Sequence, residues 1–324
     1  MKSTSPLVKA INMEWSNFAW QGEKEKEALY VPVKFEFDAS THWLQLDTGC
    51  NRSIIYDVPL RQLTGRSEFK DKYFVLNGKI GNYEFRNERF RIKRNCGKVA
   101  SASEKSEEIG VLGLNFLARR IMIIDYPNER FCICDSLTEL PEELLKRAEF
   151  TRVRIRFGAV FLEELEFNDK PLKGIIFDTG ASKFTLVFAL ESRWEKYAGK
   201  KGTQQGNCCL EVPGAWGEKV SLMGAKAKGV LRLRSLQIEN PVIYFTPHIP
   251  NVKGIRRLLI RIIISVFRLA NGLMGNEPFY NEYTVILDLR QNRFGFLKSL
   301  NNAPRPSKRA LGRPAHTDVY LTQK

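Results

Sequence analysis

Short runs in which apolar and polar residues alternate recur along this 324-residue chain, and a period of two is the signature of a half-buried strand. In the first half the pattern predicts strands over residues 30–37, 44–47, 73–76, 84–92, 121–124 and 131–134. Asn77-Gly78 and Pro127-Asn128 punctuate these runs and favour hairpins. Residues 139–150, rich in Glu, Leu and Lys and preceded by Thr138, predict a capped helix or linker. Alternation resumes at Val153 and continues through the second half, so the expected fold class is mainly β.

The second half also repeats the first. Ile123-Ile124-Asp125-Tyr126-Pro127-Asn128-Glu129-Arg130-Phe131 aligns residue for residue with Ile286-Leu287-Asp288-Leu289-Arg290-Gln291-Asn292-Arg293-Phe294. Upstream, Gly110-Val111-Leu112-Gly113-Leu114-Asn115-Phe116-Leu117 corresponds to Gly272-Leu273-Met274-Gly275-Asn276-Glu277-Pro278-Phe279, each an apolar pair, a glycine and a short helix start. A weaker match joins residues 83–87 to 236–240. Asp47-Thr48-Gly49 recurs as Asp178-Thr179-Gly180, and both copies close an apolar run. One such tripeptide arises by chance in about a tenth of chains this long. Two copies at equivalent ends of two repeats are much harder to obtain by accident.

On these motifs the chain resembles the aspartic protease superfamily, which includes the retroviral and the two-lobed pepsin-like enzymes. The resemblance spans residues 29–297. It implies a single-chain, two-lobed acid-protease fold with pseudo-twofold symmetry and short lobes, nearer the retroviral type, with the active site between them. The implied organisation is an extension over 1–27, an N-terminal lobe over 28–138, a linker over 139–150, a C-terminal lobe with insertions over 151–299 and a basic tail over 300–324. Asp47 and Asp178 match the catalytic pair. Thr48 and Thr179 match the threonines that tie the two loops together, and Gly49 and Gly180 the glycines that offer N–H groups to the carboxylates. Gly113 and Gly275 match the position that crosses behind each loop.

Two apposed carboxylates cannot both ionise easily, so they share a proton and their apparent pKa values split. One then acts as base on a water while the other protonates the carbonyl oxygen of a peptide bond. The expected activity is that of an aspartic endopeptidase acting as a monomer on an extended polypeptide, with no metal or organic cofactor. The alternative is a catalytically silent protein of the same fold that binds a peptide or partner in the cleft. The residue after each glycine is Cys50 or Ala181, where pepsin-like enzymes carry Ser or Thr. Without that hydroxyl donor the pair is expected to titrate higher, with an optimum nearer neutrality. A covering hairpin is expected over 77–81 or at Thr64-Gly65 in the first half and within 200–224 in the second, each of which also reads as an ordinary surface loop.

Charge adds a further element. The formal net charge is +15, concentrated in two places. Lys253, Arg256, Arg257, Arg261 and Arg268 accompany an apolar stretch, 255–270, that reads as a helix with a basic stripe or as a strand. Such a helix either packs on the second-half sheet with its arginines in water or meets an anionic membrane surface or a partner. The basic tail lacks interleaved aromatics, so no specific nucleic-acid binding is expected. Residues 1–9 lack the apolar core of a secretory signal, and no spanning helix is seen, so a cytoplasmic location is expected. Six cysteines are then simplest as free thiols, with a disulfide open if the compartment differs; their spacing does not suggest zinc. Cys50 reads as a buried thiol or an oxidation-sensitive group beside the site, and His42 as structural. No serine elbow, phosphate loop, dinucleotide fingerprint or His-Glu-x-x-His appears.

Overall fold

The structure, a computed structural model, describes residues 14–21, 26–97, 108–201, 208–213, 219–246 and 270–299. The basic tail, most of the 255–270 segment and residues 1–13 therefore lie outside the described residues. The chain is mainly β, with sheets of thirteen, seven and four strands. Among the described residues no helix is long and apolar enough to cross a membrane.

The largest sheet is built around the two most apolar copies of the repeat. Ile121–Asp125 and Tyr283–Asp288 are buried along their whole length and pair antiparallel. In that register Ile123 lies opposite Ile286, so equivalent residues of the repeat face each other. Arg130–Cys134 and Arg293–Lys298 flank the pair as hairpin partners. One cluster, with Ile123, Cys132, Cys134, Leu144 and Ile286, packs on one side of this sheet. Met122, Ile124, Phe131, Val285 and Leu287 join the main core on the other. Burial on both faces accounts for the continuous apolar runs.

The Asp-Thr-Gly loops sit at the ends of strands in a pairing scheme that occurs twice. Asp38–Asp47 lies parallel to Glu108–Gly113, which is antiparallel to Ile54–Tyr56, which is parallel to Tyr83–Lys93. Ile175–Phe177 lies parallel to Gly272–Met274, which is antiparallel to Leu186–Phe188, which is parallel to Val242–Phe245. Each loop is thus flanked by the apolar-Gly strand that follows it in sequence.

Several local expectations change. The strands expected over 30–37 and 44–47 are one hairpin, Ala28–Phe35 and Asp38–Asp47, whose turn at Glu36-Phe37 carries none of the usual turn residues. The 139–150 helix shrinks to Glu142–Arg147, after a 3-10 turn at Leu137–Glu139. Thr138 caps neither element: Ser136 caps the 3-10 turn in a reciprocal capping box with Glu139, and the helix starts after Pro141 with no side-chain cap. A strand already begins at Glu149, because Glu149–Arg156 completes the central sheet against Arg293–Lys298.

The hairpin candidate at 77–81 does not cover a site. Gly78 is built into the sheet opposite Phe35, and the turn at Gly81 packs on Ser16 and the ring of Phe131. Gly65 caps the Asp57–Thr64 helix in a left-handed conformation. In the second half, Cys208–Pro213 pairs with Lys219–Lys226 at the edge of the thirteen-stranded sheet.

Glu88 is buried in the same region and accepts from Arg119 at 2.6 Å and from the buried Arg120. Arg120 in turn stacks 3.9 Å over Phe116. Glu88→Ala leaves Arg120 buried without its partner and should cost about 3–5 kcal/mol in urea unfolding; a loss below about 1 kcal/mol would show that the pair is replaceable by solvent.

Candidate active site

The two Asp-Thr-Gly loops meet, and four hydrogen bonds made by their threonines hold them. The Thr48 amide donates to Thr179 Oγ1 at 2.9 Å and the Thr179 amide to Thr48 Oγ1 at 3.0 Å. Each hydroxyl then donates across to the opposite strand, Thr48 to the Phe177 carbonyl and Thr179 to the Leu46 carbonyl, both at 3.2 Å. Both threonines are fully buried. The β-branched side chain holds its hydroxyl in one direction, so one residue both accepts and donates without competing with water.

This arrangement places Asp47 and Asp178 in hydrogen-bond contact. Each keeps part of its surface open to solvent. Burial, the adjacent Asp178 charge and the bond to Asp178 together hold the Asp47 carboxyl well above the usual carboxylate range. Asp178 is also raised by burial, but backbone N–H groups and the bond from Asp47 favour its ionised form. It accepts from the Gly180 amide at 2.8 Å and the Gly49 amide at 3.1 Å. Asp47 accepts from the Cys50 amide at 3.0 Å. The pair therefore holds one shared proton into a higher pH range than isolated carboxyls would, and the Gly180 and Gly49 amides favour ionisation on the Asp178 side.

The glycines are required for this approach. A Cβ on Gly49 would lie 2.4 Å from Asp178 Oδ2, and one on Gly180 would lie 2.8 Å from Asp47 Cγ. Gly113 and Gly275 sit behind the loops, where a Cβ would meet the Arg52 carbonyl carbon at 2.5 Å and the Ala181 carbonyl oxygen at 2.4 Å. The following amides, Leu114 and Asn276, donate to the carbonyls of Cys50 and Ala181 at 2.8 and 2.9 Å. The structure thus brings together Asp47, Thr48, Gly49, Asp178, Thr179, Gly180, Gly113 and Gly275. Cys50 contributes only its amide to Asp47; its thiol donates to the Arg52 carbonyl, and burial pushes it up to about 11. Neither Cys50 nor Ala181 gives the pair a side-chain donor.

No family model and no curated protein sequence matches this chain. Among solved structures it is similar to conglutin gamma, a basic 7S globulin from lupine seeds, and to basic 7S globulin from soybean. Each shares 11% identity and a TM-score of 0.48, over 89% of this chain and 95% of the other. These neighbours are globulins rather than pepsin-like proteases, and no aspartic protease model matches. The assignment to the aspartic protease superfamily made on the motifs is therefore corrected: the chain is not placed in that family. The tripeptides encode a loop geometry, and a loop geometry does not by itself carry ancestry.

The motifs did not reveal the groups that hold the second loop from behind. Asn276, fully buried, donates to the Thr179 carbonyl at 2.7 Å and accepts from the Tyr126 hydroxyl at 2.8 Å. Tyr280 donates to the Ser182 carbonyl. In the first half the Ser53 hydroxyl accepts from the Gly113 amide at 3.1 Å and donates to Asn115 at 3.0 Å. An asparagine close after the glycine in both repeats was the available signal. The described part of the edge hairpin Cys208–Lys226 lays Leu210, Val212, Val220 and Leu222 against Ala181, Phe184 and Leu273, which gives the Asp178 side an apolar wall. His42, buried and bonded to Asp38 on its own strand, is not at the site.

Two stability effects follow. Thr48→Ala leaves the buried Thr179 amide unsatisfied and should cost about 1–3 kcal/mol, read from the denaturant midpoint, with Thr48→Ser recovering most of it. Asp47→Asn should raise the melting temperature at pH 8. A carboxyl whose folded pKa lies above its unfolded value binds its proton more tightly when folded, so stability falls as pH rises between the two values. The gain should vanish below about pH 4, where both states are protonated. Asp47→Asn that is neutral or destabilising at pH 8 would contradict the raised pKa.

Proposed function

We propose that this protein is an endopeptidase that hydrolyses a peptide bond by activating a water between Asp47 and Asp178. The supporting observation is the pair itself: two carboxyls in contact, both held up by burial, each with part of its surface open to solvent. In this reading the Asp178 carboxylate removes a proton from the attacking water, and the Asp47 carboxylic acid protonates the carbonyl oxygen. The tetrahedral product then collapses with proton transfer to the leaving amine. We place the two halves as two lobes about a pseudo-twofold axis through the threonine bonds, with an extended polypeptide between them and the Cys208–Lys226 hairpin beside it. A pair that titrates high suits a compartment near neutral pH, in keeping with a cytoplasmic protein. A silent peptide-binding protein would have no need to keep two like carboxyls in contact, which disfavours that alternative.

The test is cleavage of a diverse peptide library across pH by the wild type beside Asp47→Asn and Asp178→Asn. Cleavage by the wild type should fall by about 10²–10⁴-fold or more in each variant. The singly protonated pair is the active form, so activity should persist above the ordinary carboxylate range and decline as pH rises through the Asp47 pKa. An optimum below about pH 4 would contradict the raised pair. Peptide capture without cutting by folded wild-type protein would favour the silent binder.

A further inference from the structure

The first half carries an open cationic sheet face whose edge adjoins the first Asp-Thr-Gly loop. Tyr83–Lys93 alternates buried Phe90 and Ile92 with outward Arg89, Arg91 and Lys93. Tyr73 is in register with Arg91, and Tyr56 with Lys93, so these side chains share that face. Arg52 and Lys72 join it, each 5.9 Å over the Tyr73 ring, and Arg89 lies 4.7 Å over the same ring. Arg52 follows Cys50 by two residues, and the Cys50 amide is bonded to Asp47, so this end of the face adjoins the first Asp-Thr-Gly loop.

Arg52, Lys72, Arg89 and Arg91 are exposed and have no ion-pair partner among the described residues. The nearby acids are Glu68 and Asp71, exposed on the loop that precedes Tyr73, and Glu108, which accepts from the Tyr56 hydroxyl. Glu88 on the same strand points the other way, to Arg119 and Arg120. The second half differs: beside its loop, at Ala181, lies the apolar group of Phe184, Leu210, Val212 and Leu222. A polypeptide crossing the pair would pass from an apolar surface to a positive one.

We propose, resting on the endopeptidase reading, that the Arg52–Lys72–Arg89–Arg91 face is a specificity surface that selects substrates with a run of aspartate or glutamate on one side of the cut bond. Guanidinium forks match carboxylates in pairs and are held in place by the aromatic ring beneath them. From Arg89 to Lys93 the strand spans about 13 Å, the length of about four extended residues. Single-stranded nucleic acid is disfavoured as the occupant, because such binding uses open aromatic faces for base stacking, and the Tyr73 ring is already covered by three cations.

Matched peptides with one apolar cut site and an acidic, neutral or basic run on either flank provide the test, read as kcat/KM at low and high salt. The acidic run on one flank should be favoured about tenfold over the neutral one, roughly threefold for each of two or three exposed pairs. The advantage should shrink at high salt. In Arg89→Glu/Arg91→Glu it should invert toward the basic run, and in Arg89→Gln/Arg91→Gln it should disappear, with the melting temperature of each variant checking the fold. Binding of the same peptides to Asp47→Asn by fluorescence anisotropy tests the face without catalysis. If no peptide is cut yet the acidic one binds Asp47→Asn selectively, the endopeptidase reading fails and the surface stands. Cutting with no flank preference overturns the surface alone. Single-stranded RNA that binds through Arg89 and Arg91 in preference to the acidic peptide overturns it as well.

Discussion

Each threonine of the two Asp-Thr-Gly loops accepts from the opposite amide and donates to the opposite strand, and the rest of the site depends on that reciprocity. The bonds are buried, so none is exchanged for water, and removal of either hydroxyl orphans an amide and a carbonyl of the opposite half. They fix the separation of two strand ends that belong to different sheet regions. With the ends fixed, Gly49 and Gly180 can approach the facing carboxylates, and only the absence of a side chain allows it.

The same lock imposes an electrostatic cost. Two carboxyls brought into contact away from bulk water would repel if both were ionised, so the pair retains a proton that exposed aspartates would have lost. Backbone amides divide the roles: Asp178 receives Gly180 and Gly49, while Asp47 receives Cys50 without a thiol or hydroxyl donor. A site that stores this unfavourable contact is less stable than one with amides in its place.

The surroundings of the pair are unequal although the pairing scheme repeats. Both halves place a short helix after the strand that pairs with the apolar-Gly strand, Asp57–Thr64 in one and Glu191–Ala198 in the other, but among the described residues only the second half adds the strand Cys208–Pro213, whose hairpin has an apolar inner surface. The first half instead exposes a strand face rich in arginine beside the pair. A duplicated scaffold thus presents two chemically different walls, because side chains that face outward are free to diverge while those that pair across the lock are not.

Sequence alone determined the mainly β character, the twofold repeat and the identity of the eight residues that converge. It could do so because strand alternation has a period of two, and because a carboxylate, a hydroxyl and a glycine at fixed spacing each meet a separate steric or hydrogen-bonding demand. Tertiary structure decided the rest. The Glu36-Phe37 turn is imposed by pairing and not by turn residues; Gly78, in a dipeptide typical of hairpin tips, was drawn into a sheet; and Asn276 and Tyr126 meet from positions 150 residues apart. Local chemistry states what a residue can do. Which partner it meets depends on long-range pairing, which no local pattern encodes.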